Sequence, residues 1–294
     1  MIKTVVFGYG NVGKSVVEAC ISSPDIKLVG IIDVSKVGQN VGDLVISSDW
    51  RTLGKIDVAI LSLPSRIVLD VAKELLSAEI NTVDSFDIHS KIVEVRGELN
   101  EVAKKSNCSA ITAAGWDPGT DSIIRTILQA MAPKGITYTN FGPGMSMGHS
   151  VAAKAIDGVK DAVSMTIPVG TGIHRRMVYV ELEEDASPSE VANAIKNDDY
   201  FSHDETHVVP VKSISDILNV GHGVHIERRG VSGITHNQLF EFSMKVNNPA
   251  LTAQVLVSSA RAVVRQNSGC YTLIEIPPVD FLNMSREEAV ESLV

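Results

Sequence analysis

The sequence is poor in cysteine and in positive charge, and it has no long apolar run. Its three cysteines, Cys20, Cys108 and Cys270, are an odd set without C-x-x-C spacing, which argues against a disulfide framework or a cysteine zinc site and fits reduced, mostly buried thiols. Nothing approaches the roughly 18 to 20 apolar residues that span a bilayer. The first residues, MIKTVVFGYG, lack the basic region, apolar stretch and cleavage site of a signal peptide. A cytoplasmic protein with no membrane contact is therefore expected. Twenty-six Lys and Arg against 35 Asp and Glu give a net charge of -9, the wrong sign for gripping a phosphate backbone. The expected partner is a small molecule and not a nucleic acid. No G-x-S-x-G elbow is present. In His203-Asp204-Glu205-Thr206-His207 the glutamate is misplaced for H-E-x-x-H and the segment runs into a strand-like THVVP, so no metal site is expected.

What is present points to a soluble α/β protein of two domains. The chain has 294 residues, 44% hydrophobic and 21% charged, enough for a sizeable core in each. Its first third alternates β-branched runs (KTVVFG, IKLVGIID, DVAILSL, NTVDS) with helical patterns (NVGKSVVEACISS, SRIVLDVAKELLSA), the rhythm of a Rossmann-type parallel sheet. A helix over 88–106 and a strand over 108–114 extend it. In DPGTDSIIRTILQAMA, Asp117 is placed as N-cap and Pro118 as first helical residue.

From about residue 136 strands follow in expected antiparallel order: ITYTNFGPG, AVSMTIPV, RRMVYVELEE, THVVPVKSI, VHIERRG and QLFEFSMKV. One helix interrupts them, with Ser187, Pro188 and Glu190 spaced as a capping box. This half reads as α+β, an open sheet with helices on one side. NPALTAQVLVSSARAVVRQNSG is a last helix, capped by Asn248 and ended near Gly269. The expected division is 1–117 for a dinucleotide-binding domain and 118–249 for a substrate domain, with 250–294 packing back on the first.

Gly8-Tyr9-Gly10-Asn11-Val12-Gly13 matches G-x-G-x-x-G between an apolar strand and a helix, and Asp33 ends the next strand. In that context Gly8 permits the tight turn, Gly10 lets a pyrophosphate approach, and Gly13 lets helix and strand pack closely. Asp33 suits the ribose hydroxyls of NAD, whereas Ser35 and Lys36 offer a 2'-phosphate a hydroxyl and a charge. Leu63, Pro64 and Ser65 end another strand at the ligand edge, where Ser65 is also a candidate N-cap. Two further strand ends, VDSFDIH and AAGWDPG, bring Asp87 and Asp117 to the same edge, either as helix caps or as a pair suited to an ammonium group or to base catalysis.

GYGNVG, VDSFDIH, AGWDPGTDSI, TNFGPGMSMGHS, SMTIPVG, Arg175-Arg176, GHG at 221–223 and NNPALTAQV, in this order along nearly the whole chain, resemble the meso-diaminopimelate dehydrogenases. The likeness is closer to members with Phe141 in FGPG, where others carry tryptophan. The resemblance implies reversible NADP-dependent oxidative deamination at the D-centre of meso-2,6-diaminopimelate, giving L-2-amino-6-oxopimelate and ammonia. It implies Asp87 and Asp117 as acid–base candidates, with Trp116 and the Met147-Gly148 backbone shaping the cavity around the D-end. Thr166, Arg176, His222 and Asn248 match the distal contacts, Arg176 offering a bidentate pair, and Phe141 the apolar wall. It also implies a homo-oligomer built from dimers through the second domain.

Each position has a plainer reading: a packed strand threonine at 166, a solvated edge at Arg175-Arg176, a surface turn at His222. The basic residues usual after the family's second strand are replaced here by Asp33-Val34-Ser35-Lys36, so NAD is expected to be tolerated. Other readings are an aspartate-pathway reductase of dihydrodipicolinate or homoserine type, an inactive structural relative, and a nucleotide-sensing regulator, which would need a basic DNA-reading helix.

Overall fold

The computed structural model describes residues 1–217 and 221–294, without the side chains of Met147 and Asp216. The chain opens with β1 (Ile2–Phe7), α1 (Asn11–Ser22), β2 (Ile26–Ile32), a small hairpin of β3 (Asn40–Val41) and β4 (Leu44–Val45), and β5 (Val58–Leu61). It continues through α2 (Ser65–Ser77), β6 (Asn81–Asp84), α3 (Ile92–Lys105), β7 (Ser109–Ile111) and α4 (Thr120–Met131). Next come β8 (Lys134–Phe141), β9 (Gly144–Ser146), α5 (Met147–Lys154), β10 (Val159–Gly170), β11 (Ile173–Leu182), α6 (Pro188–Asn197), β12 (Glu205–Pro210), β13 (His222–Ser232) and β14 (Thr235–Val246). The closing elements are α7 (Asn248–Val263), β15 (Gly269–Tyr271) and α8 (Arg286–Leu293).

Two compact units result: Met1–Thr126 with Pro249–Val294, and Ile127–Asn248. In the first, six parallel strands lie in the order β15-β7-β6-β5-β1-β2, a Rossmann-type sheet. Alternation along each strand feeds a core on either face. Val6, Ile31, Ile60, Val83 and Ile111 pack with Val16, Val17 and Cys20 of α1 and with Leu256, Ala260 and Val263 of α7. Val5, Phe7, Ala59, Leu61 and Ala110 pack with Val68, Ala72, Leu75 and Leu76 of α2 and with Val95, Leu99 and Ala103 of α3. All three cysteines are free and buried.

The second unit holds two sheets, β12-β11-β10-β9 and β14-β13-β8, where one was expected. THVVP, expected antiparallel, runs parallel to β11 as β12, because α6 carries the chain back along the sheet before it pairs. A short strand and helix, β9 and α5, occupy the GMSMGHS stretch that carried no element in the sequence reading.

Three helix ends differ from expectation. Asp117 does not cap α4. Residues 115–119 close a turn in which Gly115 N–H donates to the Pro118 carbonyl at 3.0 Å and Thr120 N–H to the Gly115 carbonyl at 3.2 Å; the Asp117–Pro118 peptide is cis. Gly119, at φ +148°, has no room for a Cβ against the Gly115 carbonyl, so α4 starts only at Thr120. At α6, Ser187 is the N-cap but makes no side-chain cap bond; its hydroxyl pairs with Ser189 at 3.1 Å. The last helix ends at Val263, and Gly269 begins β15 beside β7. Ser285 and Glu288 form a capping box that starts α8, a helix not expected from the sequence.

Candidate active site

In the first unit the glycine loop follows β1 directly. Gly8 sits at φ +85°, and a Cβ there would strike the Ser62 carbonyl; a Cβ on Gly13 would strike the Gly8 carbonyl, while one on Gly10 would meet nothing within 4 Å. Two of the glycines are thus required by packing and the third leaves open space, the division of labour a pyrophosphate needs. Gly10 precedes α1 without a side-chain cap, so the first N–H groups at Asn11, Val12 and Gly13 stay available to an anion.

Asp33 lies against this loop. Its Oδ2 accepts from Tyr9 N–H at 2.8 Å, and its Oδ1 accepts from Ser35 N–H at 2.9 Å and Ser35 Oγ at 2.6 Å. Burial alone would raise its pKa, but these donors and Lys36 hold it below the usual carboxylate range. Lys36 donates to the Tyr9 carbonyl and lies over the Tyr9 ring, 5.4 Å from its centroid. Leu63 packs beside Gly8. Pro64 is the N-cap of α2, so Ser65 is its first residue and not the cap. The Ser65 hydroxyl instead donates to Asp87 Oδ1 at 2.6 Å and accepts from Asp87 N–H at 3.1 Å. Asp87 therefore caps no helix; it is exposed and tied to the β5 turn.

Trp116 is buried at 5% exposure. The Asp117 carboxylate faces Arg125 Nη2 at 3.7 Å from Oδ1 and His89 Nε2 at 4.0 Å from Oδ2, and Asp121 meets the same guanidinium at 2.7 Å. Burial pushes the Asp117 pKa up, against Arg125 and Asp121. Behind both strand ends lies Asp84, wholly buried. Its Oδ1 accepts from Phe86 N–H and Thr112 Oγ1, each at 2.9 Å, and from Ala113 N–H at 3.3 Å, so one carboxylate fixes the loops that carry Asp87 and Asp117.

The second unit gathers motifs that lie far apart in sequence. A Cβ on Gly142 would strike the Thr166 carbonyl, and one on Gly144 would strike the Gly221 carbonyl; FGPG thus packs backbone to backbone on β10 and on GHG. Thr166 and Arg176 are register partners across β10 and β11. Arg176 Nη1 donates to Thr166 Oγ1, and Nε donates to Asp204 Oδ2 at 2.6 Å. With Nε committed, a ligand carboxylate would meet this guanidinium end-on, at Nη1 and Nη2, and not along its Nε side. Arg175 pairs instead with Glu205, at 2.9 Å from its Nε, and is only half-buried, in keeping with the edge reading.

His222 opens β13 at 8% exposure, so it is no surface turn. Its Nδ1 accepts from Gly223 N–H at 2.7 Å, and burial, with Arg176 and His174 nearby, lowers its pKa. Phe141 donates its N–H to His174 Nε2 at 2.8 Å and packs on that ring at 5.6 Å. His149 accompanies the cluster; burial and then Arg176 push its pKa down to about 4. Gly148 is exposed in α5, the Met147 side chain is outside the described residues, and Asn248 opens α7.

The Diaminopimelic acid dehydrogenase C-terminal domain model matches residues 115–175, and the CoA binding domain model residues 1–87. Over 296 residues the chain is 55% identical to the meso-diaminopimelate D-dehydrogenase of Bacteroides fragilis, covering 100% of this chain and 99% of that one. The chain belongs to the meso-diaminopimelate D-dehydrogenase family. Among solved structures, C. glutamicum DAP dehydrogenase in complex with DAP is similar at TM-score 0.90 and 28% identity, covering 100% of this chain and 99% of that one. An engineered D-amino acid dehydrogenase bound to NADP+ is similar at TM-score 0.85 and 27% identity, with 100% and 99% covered.

A dehydrogenase family with this nucleotide-binding fold works with a nicotinamide cofactor, and the glycine loop fits one. Within each unit of this meso-diaminopimelate dehydrogenase relative, residues singled out from sequence come together: Ser65 with Asp87, Tyr9 with Asp33 and Lys36, Thr166 with Arg176. Asp84, Asp121, Arg125, His149, His174 and Asp204 were missed. Only the i, i+4 spacing of Asp117, Asp121 and Arg125 was visible in the sequence. No helix among the described residues is long and apolar enough to cross a membrane. His225, Glu227 and Glu241 place donor atoms within 4.8 Å of one another, but Glu227 is paired with Arg229, and His225 bonds Ser243 at 2.7 Å.

Proposed function

We propose that the protein oxidatively deaminates the D-centre of meso-2,6-diaminopimelate to L-2-amino-6-oxopimelate and ammonia, with NADP as cofactor and NAD tolerated. The observation that carries this is the part-buried Thr166–Arg176–Asp204 set: a guanidinium held by a carboxylate at its Nε is built to receive a second, distal carboxylate at its Nη end. Asp87 and Asp117 take the D-centre amine, and Thr166, Arg176, His222 and Asn248 take the distal end, with Phe141 as apolar wall and Trp116, Met147 and Gly148 shaping the cavity. When bound, the nicotinamide supplies the hydride acceptor.

The chain's own part is to hold the substrate and move one proton. Asp117 accepts a proton from the D-centre ammonium, whose N–H pair becomes the nitrogen lone pair needed to expel hydride. Asp87, anchored by Ser65, orients the same amine. The neutral imidazoles of His222 and His174 leave Arg176 as the cation for the distal carboxylate.

For the cofactor, Gly8 to Gly13 take the pyrophosphate, Leu63 to Ser65 flank it, and Ser35 and Lys36 take the 2'-phosphate. The ionised Asp33 disfavours that phosphate and suits the hydroxyls of NAD, which supports tolerance. Incubation with meso-, L,L- and D,D-diaminopimelate and each cofactor tests both points. Reduction confined to the meso isomer is expected; equal rates on simple D-amino acids would contradict the distal assignment, and an NAD efficiency several orders below that with NADP would contradict tolerance.

Self-association as dimers rests on the three-stranded sheet, where Ile136, Arg229 and Leu239 are register neighbours in one row and Ile136 and Leu239 are 58% and 51% exposed. Sedimentation should give a dimer or a multiple of it, and a monomer at micromolar concentration would refute this.

A further inference from the structure

Asp121 has no part in the reading above, yet it lies against the proposed proton acceptor. It stands in the first turn of α4 with a side chain wholly withdrawn from water. Its Oδ2 accepts from Arg125 Nη1 at 2.7 Å and its Oδ1 from Ser122 Oγ at 3.3 Å. Arg125 Nη2 also donates to Ser122 Oγ at 3.2 Å. Asp117 Oδ1 is buried without a donor of its own, and one guanidinium, that of Arg125, meets both carboxyl groups, at 3.7 Å from Asp117 Oδ1 and 2.7 Å from Asp121 Oδ2. An ionised carboxylate can only accept, so two that share one guanidinium repel each other unless one of them carries a proton and donates it.

We infer that Asp121 holds a proton in the working enzyme and donates it as a hydrogen bond to Asp117, so that the pair carries one negative charge and Asp117 remains the ionised acceptor for the substrate amine. Asp121 is the partner to hold it because its side chain is wholly withdrawn from water, whereas Asp117 keeps some contact with water and has His89 as well as Arg125 beside it. With both ionised, two negative charges would share the single guanidinium of Arg125 in a water-poor site. Burial, then the charge of Asp117, push the Asp121 pKa up to about 7, against Arg125. Asp87 and His89 complete the charged groups around the pair, both through Asp117.

When substrate reacts, one ammonium N–H breaks, its electron pair stays on nitrogen, and the proton forms an O–H on Asp117; the proton on Asp121 does not move. Asp121 is thus a positioning residue that sets the charge of Asp117 without touching substrate. The amine-accepting role of Asp117 rests on the proposed function, but the shared proton does not.

The test compares the whole enzyme with Asp121→Asn, which keeps the shape and an N–H donor but no acid, and with Asp121→Leu, which keeps neither. Without substrate, infrared difference spectra between wild type and Asp121→Asn should contain a protonated carboxylic C=O band that disappears with an apparent pKa near 7. In turnover of meso-diaminopimelate with NADP, Asp121→Asn should lose less than about tenfold in kcat and lack the wild-type inflection near neutral pH, while Asp121→Leu loses roughly 100-fold, mainly in kcat. Absence of that band, or an Asp121→Asn variant as slow as Asp121→Leu, overturns the inference. A band without any diaminopimelate turnover would leave the shared proton standing and remove the proposed substrate.

Discussion

Replacing Asp84 with asparagine should flatten the pH dependence of the first unit's stability. Asp84 is fully buried, with three donors on Oδ1 and none on Oδ2. Burial outweighs those donors and pushes its pKa from 3.8 up to about 6. A raised carboxyl pKa means that the folded protein binds the proton more tightly than the unfolded chain. The resulting stability is fully present below pH 3.8 and is lost as pH rises through 6. A shift of that size corresponds to about 3 kcal/mol. Asparagine cannot ionise, but its amide N–H₂ would take the place of the unpartnered Oδ2, costing about 1–3 kcal/mol at every pH.

The variant should therefore be the weaker protein near pH 4, and its deficit should shrink by about 3 kcal/mol by pH 8. Both tryptophans, Trp50 and Trp116, lie in the first unit, so urea unfolding followed by tryptophan fluorescence reports on it. Asp121 titrates in both proteins and drops out of the difference. A deficit that stays constant across this range would show that Asp84 is ionised in the fold, and the account of it as a buried acid would be wrong.

Gly13→Ala should weaken NADP binding and lower stability by about 1–3 kcal/mol, because its Cβ meets the Gly8 carbonyl; calorimetric titration with wild-type affinity would contradict this. Arg176→Lys keeps the charge but cannot hold Asp204 and Thr166 together, and should raise KM for meso-diaminopimelate roughly 10- to 100-fold, with kcat less affected; an unchanged KM counts against the distal site. Asp25→Ala strands Arg261, 6% exposed and doubly bonded to Asp25 at 2.6 and 2.9 Å. It should cost about 3–5 kcal/mol in denaturant melts, and a cost under about 1 kcal/mol would mean that the pair contributes little.

The Rossmann half was legible because its evidence is local: a run of strand residues, a glycine fingerprint, an apolar stripe at helical spacing. Asp117 was misread as a cap for the same reason. Asp-Pro ahead of a helical pattern is the ordinary start of a helix, and only the Gly115 to Gly119 turn, set by non-neighbouring backbone bonds, delays it to Thr120. The direction of β12 depends on where α6 returns the chain, which periodicity does not encode. Thr166 and Arg176 stood out individually, but their pairing follows from the β10–β11 register, and Asp204 reaches Arg176 from a loop with no pattern of its own. Asp84 and Asp121 escaped notice because a buried acid looks in sequence like any solvated one.

The order of the strands has a bearing on how the protein is made. β15, and the buried face of α7 before it, belong to the sheet that begins with the first residues, although all of the second unit is synthesised in between. The glycine loop leaves the ribosome early, on a sheet that still lacks an edge strand and much of one core face. The second unit has all its strands before α7 emerges, and can be complete while the nucleotide-binding half waits for its last strand. Damage near residues 250–271 would accordingly be felt at the cofactor, at the opposite end of the sequence from the lesion.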